Sequence, residues 1–107
     1  MENTERKMLN INGILFKEPE YSEFDYDGKT VKVANFVIVK SYGKGKEYLN
    51  CSVYGDKHEI VKTFDVGDLI HTFGYFRIRK KEDKIYQTLV VKSLKKIKEK
   101  EELEEEE

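Results

Sequence analysis

The 107-residue chain has no tryptophan, one proline, one cysteine and two histidines, and each scarcity removes a class of function. A lone Cys51 cannot close an internal disulfide. Its place in an alternating apolar stretch suits a buried small hydrophobe in a reducing compartment. Two histidines and one cysteine, without Cys-x-x-Cys or His-x-x-x-His spacing, leave no expected zinc site, so His58 and His71 are read as packing or surface residues. The loop Gly43-Lys44-Gly45-Lys46 lacks the phosphate-cradle spacing and leads into a strand rather than a helix, which argues against nucleotide hydrolysis. Carboxylates are plentiful but fall in turns and tails, with no pair that the pattern places in a pocket. No run approaches the ~18 apolar residues that span a bilayer, and no charged-then-apolar leader opens the chain. The expectation is a soluble, cytoplasmic protein that is not an enzyme and carries no cofactor or metal.

Charge, by contrast, is abundant and unevenly placed. Net charge is -1, yet residues 98–107 hold seven Glu and two Lys, leaving 18 basic against 14 acidic side chains in residues 1–97. A mildly basic body with an acidic tail is common in proteins that bind polyanions. The length suits one domain with one core. Residues 1–7 read as a flexible N-terminal extension, 8–97 as the domain and 98–107 as an acidic tail.

Alternation of apolar residues places the elements. Leu9 to Phe16 is a strand with Gly13 inside it, a sign of a sharp bend, and Pro19 ends the ladder because it has no N–H to donate. Tyr21 to Tyr26 and Thr30 to Ser41 form a hairpin across Asp27-Gly28. The second of these strands is apolar on both faces, as expected of a doubly buried strand or one at an interface. After Gly55, Asp56 and Glu59 have capping-box spacing for a short helix over Lys57 to Phe64, closed by Gly67. Leu69 to Lys80 and Ile85 to Leu94 are the last two strands, and from Lys95 onward the chain reads as a solvated tail. A glycine-kinked first strand, and one short helix between the third and fourth main strands, give an all-β chain with the order of the five-stranded Greek-key barrel called the OB-fold.

The stretch Gly45 to Gly55 carries the functional signal. Leu49, Cys51 and Val53 alternate toward a core, leaving Tyr48, Asn50, Ser52 and Tyr54 on the other face. On the later strand Tyr75, Arg77 and Arg79 share a face with His71 and Phe73. The candidate binding set is therefore Tyr42, Tyr48, Asn50, Tyr54 and Tyr75, with Lys40, Lys44, Lys46, Arg77, Arg79, Lys80, Lys81 and Lys84. Rings interleaved with bases are what single-stranded nucleic acid requires, because unpaired bases offer faces to stack while the phosphates need neutralising. Outward tyrosines also serve as cross-strand packing and subunit interfaces, so an OB-fold adaptor of a replication or conjugation complex and a single-stranded RNA binder stand beside the DNA reading.

Met8-Leu9-Asn10, Gly13, Glu18-Pro19-Glu20, Val33-Ala34-Asn35-Phe36, Gly45-Lys46-Glu47-Tyr48, Val53-Tyr54-Gly55, Gly67-Asp68, Gly74-Tyr75-Phe76-Arg77-Ile78-Arg79 and Tyr86 through Val91 follow in order. This series resembles the bacterial single-stranded DNA-binding protein family over residues 8–97. The resemblance implies an OB-fold, a homotetramer (or dimer), and binding of single-stranded DNA in replication, recombination and repair. It places Tyr48 and Tyr54 at stacking positions on the third strand and Tyr42 near another. The family often has a Trp just after its Arg-x-Arg, where Lys81 stands here, and its acidic tip ends on apolar residues, whereas this chain runs into Glu104 to Glu107. Recruitment of replication proteins through the tail is therefore left open, and a short divergent form points to a phage, plasmid or mobile-element member.

Overall fold

The computed structural model describes residues 7–99, with Tyr42 described through its backbone alone. Most of the N-terminal extension and the acidic tail beyond Glu99 lie outside the described residues. Six strands run in the order β1 (Leu9–Leu15), β2 (Glu20–Tyr26), β3 (Lys29–Tyr42), β4 (Gly45–Tyr54), β5 (Leu69–Lys81) and β6 (Lys84–Lys98). A 3₁₀ turn (Gly55–Lys57) and the single helical turn α1 (His58–Val61) lie between β4 and β5. Neighbouring strands follow the order β1-β5-β6-β4-β3-β2, and an additional pairing of β1 with β3 closes a ring of five. The architecture is the OB-fold barrel anticipated from the element order.

The strand left outside the ring, β2, is the continuation of β1. Leu15 lies opposite Ile38 and Glu20 opposite Asn35, so Phe16 to Pro19 stand against only Phe36 and Val37. Pro19 contributes no donor to that interval, and the chain jogs before pairing resumes in β2. Asp27 (φ 54°) and Gly28 (φ 75°) then make the tight turn into β3 that the Asp-Gly pair signals.

Closing so small a ring forces backbones together at two glycines. A Cβ on Gly13 would sit 2.9 Å from Ile38 Cβ, where β1 crosses β3, and one on Gly74 would collide with the Val90 carbonyl oxygen. At Gly74 the β5–β6 ladder also shifts register: Phe73 faces Ser93 while Gly74 faces Val91, leaving Lys92 as an extra residue on β6. The bulge resets the alternation of β6, which is why Leu89, Val91 and Leu94 all reach the core.

The core joins Ile11, Leu15, Phe36, Ile38, Leu49, Cys51, Val53, Ile70 and Leu89 with Val61 and Phe64 from the α1 segment. No side chain caps this helix: Asp56 and Glu59 make no capping bond, and His58 Nδ1 instead lies 2.8 Å from the Gly55 carbonyl. The expected solvated run after Lys95 is also corrected. Strand β6 continues to Lys98, and Lys96 Nζ lies 3.2 Å from the buried Asp68 carboxylate, which accepts a bond from the Asp65 amide at 2.7 Å. A buried carboxylate needs such partners, and without one this end of the barrel would carry an uncompensated charge.

Two predictions follow from this packing. Gly74→Ala pushes a methyl group into backbone that cannot yield, and a denaturant melt should show a loss on the order of 2–3 kcal/mol. Burial pushes the Cys51 thiol up to about 12 from its ordinary 9.0. The folded protein should therefore resist thiol reagents until it unfolds. Because the unfolded thiol ionises first, stability is fully present below pH about 9 and falls as pH rises through the folded value, readable as a declining melting temperature in alkaline buffer.

Candidate functional site

The outer faces of β3 and β4 share one register. Val39 stands opposite Tyr48, Val37 opposite Asn50, Asn35 opposite Ser52 and Val33 opposite Tyr54. Leu49, Cys51 and Val53 are buried beneath, while Tyr48, Asn50 and Tyr54 are exposed, as alternation requires. Across the barrel, Glu20 pairs with Asn35, Ser52 with Val90, and Val90 with Tyr75, so one row of outward residues crosses five strands.

Strands β4 and β6 run parallel and pair only at Cys51–Leu89 and Ser52–Val90. Away from that contact a groove opens across the outer face. One part, about 290 Å³, is lined by Arg77, Arg79 and Lys81 from β5 with Tyr86 and Thr88 from β6 and Ser52 below. The other, about 370 Å³, shares Ser52, Tyr86 and Thr88 and adds Asn35, Asn50, Ile85 and Gln87, with Lys17 and Glu18 from the segment that joins β1 to β2 and Glu20 at the start of β2. Ser52 Oγ donates to Asn35 Oδ1 at 2.6 Å, pinning the amide on the groove floor.

Rings stand at both ends of this face. Tyr48, 52% exposed, meets Phe16 edge-on with centroids 4.9 Å apart, above an apolar hollow that Ile14, Val39, Lys46 and Val66 help line. Tyr54, 37% exposed, is held from two sides. The Phe24 ring meets it edge-on at 6.3 Å, and Arg77 Nη2 donates to its hydroxyl at 2.8 Å with the guanidinium 5.9 Å from the ring centroid. Tyr86, half exposed, lies between, opposite Arg79 in the β5–β6 ladder.

The structure thus brings Tyr48, Asn50, Tyr54, Tyr75, Lys46, Arg77, Arg79, Lys81 and Lys84 to one face. Tyr75 is only partly exposed and stands opposite Val90 on the same face. Lys40 pairs with Glu47, and Lys80 with Ile85, on the opposite faces of their strands, so neither joins the groove. Lys44 sits in the turn between β3 and β4, and the Tyr42 side chain lies outside the described residues. Sequence reasoning missed Phe16, Phe24 and Tyr86. Phe24 and Tyr26 stand at alternate positions in β2, a signal present in the sequence, but their nearness to Tyr54 depends on β2 lying beside β3.

The other face of β2 points elsewhere. Tyr21 packs edge-on toward the buried His58 at 6.5 Å, and Lys62 lies over its ring. Burial raises the Tyr21 pKa, helped by Glu18 and then Glu59. Among the described residues no group of three His, Cys, Asp or Glu side chains is placed to hold a metal, and no helix is long and apolar enough to cross a membrane.

No protein-family model matches the sequence, and no curated protein matches it. Among solved structures, the crystal structure of an SSB domain from Synechococcus sp. superposes with a TM-score of 0.68 at 14% identity, covering 87% of this chain and 98% of that one. At that identity the likeness is one of fold.

Proposed function

We propose that the protein binds single-stranded DNA without catalysis and with little dependence on sequence, protecting unpaired DNA during replication, recombination or repair. The observation that carries this reading is the shared face on which exposed rings alternate with the Arg77, Arg79 and Lys81 line across an open groove. Stacking on Tyr48, Tyr86 and Tyr54 supplies affinity that any base can use, and the cations neutralise the phosphates. The fold shared with an SSB domain supports the same reading. At ~1–3 kcal/mol per stacked base, three rings supply a gross ~3–9 kcal/mol before ordering is subtracted.

A protein-contact role has its own observation. On the reverse face of the β5–β6 arm Ile78 and Ile85 are exposed, an apolar patch suited to a second copy of the chain in the homotetramer or dimer that the sequence leads one to expect. Ile85 also lines the larger part of the groove, so the two surfaces meet at the edge of the arm. Light scattering measures the assembly.

The deciding experiment titrates single-stranded and duplex DNA oligomers at two salt concentrations, following tyrosine fluorescence. Single strands should bind preferentially, with log K falling against log salt at a slope near about -3 if roughly four phosphates are neutralised. Replacing Tyr48 and Tyr54 together by Ala should weaken binding about a hundredfold while leaving the melting temperature near the parent value. No binding at low salt, or full binding by the double variant, defeats the proposal or moves the site. Competition with a matched RNA oligomer separates DNA from RNA.

A further inference from the structure

Tyr54 joins the arm groove to a further hollow. Arg77, which lines the groove with Arg79 and Lys81, donates to the Tyr54 hydroxyl, and Tyr54 in turn lines a space of about 390 Å³ with Asp56, Lys57, Val90, Val91 and Lys92. Lys92 reaches this space because of the bulge in β6. It lies between Val91, opposite Gly74, and Ser93, opposite Phe73, so it has no ladder partner of its own, and a bulge re-aims the side chain of its extra residue. Lys57 comes from the 3₁₀ turn that follows β4.

Both lysines are exposed, and among the described residues neither forms an ion pair, nor does Asp56. Two lysines against one carboxylate leave the hollow with an excess of one positive charge. At the other edge of the groove Lys17 stands with Glu18 and Glu20, an excess of one negative charge. A phosphate chain extending beyond the arm is therefore drawn toward the Tyr54 end. Four residues of β6 separate Thr88, opposite Arg77, from Lys92, about 13 Å along the strand, so one extended chain can meet the cations of both.

We infer that single-stranded DNA lying in the groove continues past Tyr54 into this hollow, where Lys57 and Lys92 neutralise its phosphates. This rests on the reading that the face binds single-stranded DNA. Tyr54 is then a ring over which the strand passes from one hollow to the next, and not the end of the site. The bulge that lets the barrel close also supplies a phosphate contact, since the residue it adds is a lysine.

The test measures the affinity of oligo-dT of about 15 nucleotides, a length within the range that one OB-fold covers, over a series of salt concentrations. Lys57→Gln combined with Lys92→Gln removes two phosphate contacts. The slope of log K against log salt should become shallower by about 1.4, and affinity near 0.1 M salt should fall about twentyfold. Tyrosine quenching at saturation should stay at the parent value, because the rings are untouched. Lys32→Gln combined with Lys62→Gln removes the same charge beside Tyr21, on the other face of β2, and should leave the slope as it was. A slope that the Lys57 and Lys92 substitutions leave at the parent value overturns the inference alone. So does an equal change produced by the Lys32 and Lys62 substitutions. Failure of the parent protein to bind at low salt overturns the single-strand reading and the inference with it.

Discussion

The short parallel contact of β4 with β6 is the constraint on which the candidate binding face depends. The barrel cannot close without it, yet it spans only Cys51–Leu89 and Ser52–Val90. Had the two strands paired along their length, Tyr86 and Thr88 would lie flat against Asn50 and Tyr48, and no groove would separate the arm from β3 and β4. The same two rungs serve the core and the site together: Cys51 and Leu89 are buried inside the ring, while Ser52 forms the groove floor and ties Asn35. Closure of the ring and opening of the groove are thus one geometric event seen from two sides of the sheet.

The remaining devices keep that event in register. Gly74 lets β5 approach the Val90 carbonyl, and the extra Lys92 on β6 absorbs the offset, so that Val90 still faces outward beside Ser52 and Leu94 still faces in. Past the bulge, the buried Asp68 holds Lys96 and anchors the far end of β6. The distal end of the β5–β6 hairpin is then free to project as an exposed arm, with Arg77, Arg79 and Lys81 on the groove side, Ile78 on the other and Ile85 at the groove's edge.

Local rules made much of this legible. Period-two alternation in β4 placed Tyr48, Asn50 and Tyr54 outside and Leu49, Cys51 and Val53 inside, and the Asp27-Gly28 pair marked its turn, because both effects act within a few residues. Alternation in β5 likewise separated Arg77 and Arg79 from Ile70 and Thr72. It failed where long-range pairing decides. Lys96 reads as one more solvated lysine until β6 is seen to carry it past Asp68. Lys40 and Lys80 entered the candidate set as basic residues near the right loops, but the parity of β3 and β5 turns them away. Phe16 reaches Tyr48 because the end of β1 pairs with β3, and Phe24 reaches Tyr54 because the chain beyond Pro19 lays β2 along β3, which no short window reveals.

The edge-on ring pairs bear on what base stacking on this face would cost in a chain without tryptophan. A lone exposed tyrosine on a strand spends entropy when a base fixes its rotamer, and that loss offsets part of the stacking gain. Phe16 restrains Tyr48, and Phe24 with Arg77 restrains Tyr54, before any ligand arrives. Arg77 orients the Tyr54 ring through the hydroxyl with one of its donors, and a planar guanidinium carries several, so that bond leaves others for an acceptor. With no tryptophan in the chain, the exposed rings of this face are tyrosines already held in place, and Lys81 adds charge beside them.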